Sequence, residues 1–110
     1  MSVKSERIGN SLVVEISNIL RFEARDEELK NVTITYVKVA GDLGNAKVYY
    51  NIFDKTKLDH IQRSLEKASG YVRSELAKRV ELRHMPELNF VYDESIDYGN
   101  KIEHILDKIN

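Results

Sequence analysis

The chain has 110 residues, of which 42% are apolar and 32% charged, with a formal net charge of −1. That length can bury a core without staples, and the composition excludes a disordered chain. The absence of cysteine excludes disulfides and cysteine-ligated zinc and fits the cytosol, no apolar run approaches the roughly 20 residues of a membrane span, and MSVKSER lacks a signal-peptide core.

The near-neutral total conceals an asymmetry. Residues 1–62 carry nine Lys/Arg and nine Asp/Glu. Residues 63–84 carry six Lys/Arg against Glu66, Glu75 and Glu81, and residues 85–110 carry two against six acids. A pI near 6.3 argues against a strongly basic non-specific binder. A local basic stripe still attracts phosphate, because screening confines its field to about 8–10 Å.

Residues 3–24 read as a helix, with Ile8, Leu12, Ile16, Ile19 and Leu20 on one face and Val13 beside them. Gly9-Asn10 predicts fraying in its first half, and DEELKN (26–31) reads as an acidic connector. VTITYVKV and AKVYYNIF flank AGDLGN and predict a hairpin. Strict alternation puts Val32, Ile34 and Tyr36 on one face and Ala46, Val48, Tyr50 and Ile52 on another. Gly41-Asp42-Leu43-Gly44 lacks the helix start and lysine of a phosphate loop, so turn chemistry accounts for its glycines.

Residues 58–83 carry two helical patterns that meet at Ala68-Ser69-Gly70. Leu58, Ile61 and Leu65 form the first apolar stripe, and Val72, Leu76 and Val80 the second. Glycine is the weakest point of such a run, so a helix–kink–helix is expected. His84-Met85-Pro86 stops it. ELNFVYD (87–93) alternates as a third strand with Leu88, Phe90 and Tyr92 on one side. In the tail, 95–110, Ile102, Ile105, Leu106 and Ile109 have helical spacing, with Ser95 or Asp97 as a cap. One α+β domain over 1–110 is expected, in the order α-β-β-α-α-β around a three-stranded sheet.

No catalytic constellation stands out. His60, His84 and His104 lack metal-ligand spacing, and no serine has a nucleophile-elbow context. Asp93 and Glu94 point to opposite faces of a strand and read as partners for Arg73 or Arg83, or as a helix start, rather than as an acid–base pair. The basic residues Arg63, Lys67, Arg73, Lys78, Arg79 and Arg83 allow two readings. One is a solvated helix face laced with Glu66, Glu75 and Glu81. The other is a phosphate-binding track on both arms of the kink.

The α-β-β-α-α-β order is similar to type II KH domains, in which a Gly-x-x-Gly loop at the central joint clamps nucleic acid. Here Ala68-Ser69-Gly70 stands in place of that loop. With ISNILRFE, VTITYVKVAGDLGNAKVYY and the run RSEL-x-x-R-x-x-L-R-x-x-P-x-L-x-F-x-x-D-x-S, the chain resembles bacterial ribosome-binding factor A over most of its length.

The resemblance implies a KH-like domain and a non-enzymatic factor for late maturation of the small (30S) ribosomal subunit, without cofactor or metal. It implies binding to free 30S subunits and 16S rRNA, support for 16S 5′-end processing and cold adaptation, and a cytoplasmic location. Ribosomal proteins and an assembly GTPase are further expected partners. RNA contacts are expected from Lys47, Arg63, Lys67, Arg73, Lys78, Arg79 and Arg83, with Ala68, Ser69 and Gly70 setting the kink. A monomer without membrane contact is expected. The competing functions are a protein–protein scaffold, or a helix-turn-helix DNA-binding module built from the two central helices.

Overall fold

The structure, a computed structural model, describes residues 3–41, 44–82 and 84–95. Helix α1 (Val3–Phe22) is followed by a short 3-10 turn (Glu27–Asn31), strand β1 (Thr33–Val39) and strand β2 (Asn45–Asn51). A second 3-10 turn (Lys55–Lys57) leads into helix α2 (Leu58–Arg79), and strand β3 (Glu87–Tyr92) closes the sheet. Arg83 and the expected C-terminal helix beyond Ser95 lie outside the described residues.

The sheet runs β1-β2-β3, with β1 antiparallel and β3 parallel to the central β2. Helix α1 lies against β1 and α2 against β3, and the two helices touch. One face of the sheet is thereby covered. Leu12, Ile16, Ile19 and Leu20 from α1 meet Val37, Val39, Val48, Tyr50, Leu88 and Phe90 from the sheet in one core. Ile61, Leu65, Val72 and Leu76 of α2 complete it. The α1 stripe, the hairpin and the third strand thus follow the hydrophobic patterning.

Four expectations give way. The two central helices are one, since helical conformation is unbroken through Ala68-Ser69-Gly70. At about 100° per residue, Ile61, Leu65, Val72 and Leu76 fall within an arc of about 60°, but only if the helix keeps its phase across Gly70. A mid-helix glycine costs about 1 kcal/mol. Burying one such side chain contributes about 1.5–3 kcal/mol, and four share the stripe. The element order is therefore α-β-β-α-β, and a helix-turn-helix built from two central helices is removed. The helix also ends at Arg79, short of Pro86, because Val80 is extended.

Gly9 is not a fraying point. It is buried inside α1, and a Cβ there would lie 2.5 Å from the Val37 carbonyl oxygen. The missing side chain lets helix and strand backbones meet.

Tyr36 does not share a face with Val32 and Ile34. A β-bulge shifts the register between Ile34 and Tyr36, so Tyr36 turns outward and Val37 and Val39 turn inward. An extra residue inverts every side chain beyond it. The bulged Thr35 donates its hydroxyl to Asp93 Oδ2 at 2.6 Å.

Candidate nucleic-acid interface

Helix α2 presents its basic residues to three different surroundings. Arg63 and Lys67, four residues apart, lie opposite the buried stripe. Both are exposed, and neither has a salt-bridge partner among the described residues. Lys78 continues this outer face one turn beyond Ser74 and makes a 3.3 Å ion pair with Glu75 of its own helix. Such exposed pairs contribute little to stability, so Lys78 keeps its charge available to a ligand.

Arg73 faces the β3 side. Its guanidinium donates from Nε and Nη2 to the Met85 carbonyl at 3.2 and 2.7 Å, and from Nε to Pro86 O at 3.3 Å. It therefore pins the connector that returns the chain to β3. It does not hold Asp93, which accepts from Ser95 and Thr35. Those hydrogen bonds keep the Asp93 carboxyl below the usual carboxylate range, with the Ser95 hydroxyl the largest cause.

Arg79 faces α1. It forms a salt bridge to Glu23 and lies 4.0 Å from Glu75. This ties the end of α2 to the end of α1 across 56 residues of sequence. Of the seven expected contacts, Arg73 and Arg79 thus have partners within the fold, and Arg83 lies outside the described residues.

Lys47 belongs to another surface. It is exposed on the open face of the sheet, where its Cα partners are Lys38 and Asn89. It is not beside Arg63 and Lys67, which lie on the helical side.

A cluster missed by spacing sits where α2 begins. His60 Nε2 lies 3.2 Å from Glu28 Oε2 and 3.5 Å from Asp26 Oδ2, and Lys57 Nζ lies 3.1 Å from Glu28 Oε1. Ser64 Oγ donates to Asp26 Oδ2 at 3.0 Å. The Glu28 backbone N–H donates to Asp26 and holds its carboxyl below the usual range. The cluster anchors the 3-10 turn after α1 to the first turns of α2. Its two halves are about thirty residues apart, so sequence spacing carries no trace of it.

The mixed three-stranded sheet with two helices on one face defines a KH-like α+β domain. A family model described as Ribosome-binding factor A matches residues 4–106. Ribosome-binding factor A of Pediococcus pentosaceus is 46% identical over 109 residues, covering 97% of this chain and 94% of that one.

The crystal structure of ribosome-binding factor A from Thermus thermophilus has a TM-score of 0.73 at 23% identity, covering 80% of this chain and 94% of that one. A homology model of the Thermus thermophilus ribosome binding factor A, fitted into the cryo-EM map of a 30S complex, has a TM-score of 0.64 at 23% identity. It covers 78% of this chain and 91% of that one. At these identities the likeness is one of fold. The chain belongs to the ribosome-binding factor A family.

Proposed function

We propose that this protein is a non-enzymatic, cytoplasmic assembly factor that binds the free small ribosomal subunit and contacts its 16S rRNA. The observation that carries this reading, beside family membership, is the outer face of α2. There Arg63 and Lys67 stand exposed without salt-bridge partners among the described residues, one face away from the helix's own core stripe. Two cations held on a rigid helix engage backbone phosphates, which position a protein on RNA without reading sequence. Lys78 extends the track. Arg73 and Arg79 support it indirectly by fixing α2 against β3 and α1.

No described helix is long and apolar enough to cross a membrane. Action as a single-domain monomer, support for 5′-end processing and growth in the cold, and contacts to ribosomal proteins or a GTPase belong to the same proposal.

The test is co-sedimentation of the full chain with separated small subunits, large subunits and joined ribosomes at two salt concentrations. Selective pelleting with small subunits that weakens as salt rises is expected. R63E/K67E should abolish it while the circular dichroism spectrum and melting temperature stay unchanged. Equal pelleting with every particle, or pelleting indifferent to both salt and charge reversal, overturns the reading. Salt-indifferent binding points instead to a protein–protein scaffold.

A further inference from the structure

The open face of the sheet carries a second arrangement that α2 does not explain. Along β1 and β2, Tyr36 stands opposite Tyr49, and Lys38 opposite Lys47. The two tyrosine rings lie 6.0 Å apart, tilted at 34°. Tyr36 is 42% exposed. Asn89 and Val91 of β3 extend the two rows as Cα partners of Lys47 and Tyr49.

Two features of this face cost free energy in the isolated protein. Like charges directly opposite each other on neighbouring strands are destabilising. Neither Lys38 nor Lys47 has an ion-pair partner among the described residues. Lysine on an edge strand is a common guard against aggregation, which accounts for Lys38 on β1. It does not account for Lys47, because β2 is the central strand. The second cost is the outward aromatic. Strict alternation would bury Tyr36, and the bulge after Ile34 is what turns it to solvent beside Tyr49. Bulges often re-aim a side chain in this way near functional sites.

Among the described residues no acid pairs with Lys38 or Lys47. Glu87 lies one row along, opposite Asn45, and Asp93 accepts from Thr35 and Ser95. The face therefore joins an exposed Tyr36 ring and a half-buried Tyr49 ring to two lysines without an ion-pair partner among the described residues.

We propose that this sheet face is a binding site for an unpaired RNA segment, with a base stacked on the Tyr36–Tyr49 pair and flanking phosphates held by Lys38 and Lys47. Stacking on aromatic rings beside cations suits single strands, whose bases are free of a duplex. Asn89, whose Nδ2 donates to the Ala46 carbonyl at 3.5 Å, keeps a second amide hydrogen and its acceptor oxygen for a base edge at the end of the lysine row. The inference rests on the ribosomal-RNA reading for the identity of the polymer. It adds a second contact surface, on the side of the domain opposite α2.

The probe is a short fluorescein-labelled oligouridylate, titrated into the full chain and followed by anisotropy. Quenching of tyrosine fluorescence is a second readout, since the chain has six tyrosines and no tryptophan. Y36L/Y49L should weaken binding by at least about tenfold, while Y36F/Y49F stays within about twofold of wild type. K38Q/K47Q should lower the slope of log affinity against log salt by about 1.4, about 0.7 for each phosphate contact on a single strand. If Y36L/Y49L fails to fold, K38Q/K47Q decides, and an unchanged affinity and slope overturn the site.

Co-sedimentation of the same proteins separates the two readings. Wild type that pellets with small subunits, but shows no oligouridylate affinity or one untouched by these variants, overturns the sheet site and leaves the subunit reading intact. Oligouridylate binding lost in Y36L/Y49L and kept in Y36F/Y49F supports the site even where subunit pelleting fails.

Discussion

Gly9 and Gly70 both lie inside unbroken helices that cover the same face of one sheet, and they meet opposite demands. Gly9 is where α1 approaches β1 so closely that a Cβ would strike a backbone oxygen at 2.5 Å. Nothing lies within 4 Å of the place a Gly70 Cβ would occupy. The first glycine is a packing requirement. The second is a gap on a solvent-facing surface, tolerated because the buried stripe beneath it holds the helix together. The same residue type carries a fold-determining constraint in one helix and almost none in the other. The difference lies in what faces it across space.

This contrast makes quantitative predictions. The largest effect is expected at the close approach. Gly9→Ala should lower stability by about 3 kcal/mol, since a backbone oxygen cannot yield as a side chain can. Denaturant midpoints at unchanged slope would measure it. A loss under about 0.5 kcal/mol would mean that α1 can lift from β1 freely, against the behaviour of a well-packed interior.

Next comes the seam where α2 meets the β3 connector. Arg73→Ala should cost about 1.5 kcal/mol through its lost bonds to the Met85 and Pro86 carbonyls. Arg73→Lys should lose most of the same amount, because it keeps the charge but not the planar fork. Equal stability of the lysine variant and wild type would instead mean that a single charge, without the planar fork, suffices at this seam.

Tyr50 tests the core between the helices. It is fully buried on β2 and donates its hydroxyl to Gln62 Oε1, while Gln62 Nε2 donates to Phe90 O at 2.9 Å. Tyr50→Phe should cost about 1 kcal/mol by leaving the Gln62 oxygen without its donor. Burial pushes the Tyr50 hydroxyl up from 10.0 to about 12. The unfolded chain therefore loses this proton first as pH rises. Tyr50's contribution is fully present below pH 10 and is lost between about 10 and 12. Replacing it with phenylalanine should flatten that part of the alkaline stability profile, measured by melting temperature against pH.

The smallest effect is expected at the open glycine. Gly70→Ala should raise stability by about 0.5–1 kcal/mol, the helix-propensity difference. Its small-subunit pelleting should equal wild type. A variant that is more stable but fails to pellet would show that the outer face at Gly70 is itself approached by RNA.

Much of this fold is legible in the residues taken alone. Leu12, Ile16, Ile19 and Leu20 announce α1, and Leu88 with Phe90 announce β3, because each face repeats with the period of its element. The unbroken α2 is legible too, in the common phase of Ile61, Leu65, Val72 and Leu76. The local weakness of Gly70 argues for a joint only when that phase is ignored. Arg63 and Lys67 could be placed outside by the same arithmetic. Tyr36 could not be placed, because alternation has no term for an inserted residue. Nor could the pairing of Arg79 with Glu23, which depends on how two helix ends meet.

Hydrophobic period, composition and the motif run thus determined on their own the class of domain, its family and the existence of every described α-helix and strand. Those signals are local, or depend on residue identity alone. Tertiary structure decided which basic residues stay free, which tyrosine turns outward, and which glycine is indispensable. Each of these depends on a partner brought close by folding: Glu23 at Arg79, the Met85 and Pro86 carbonyls at Arg73, the Val37 oxygen at Gly9, and Tyr49 beside Tyr36. Charge and apolarity are properties of a residue, whereas availability and contact belong to pairs that only the packed chain creates.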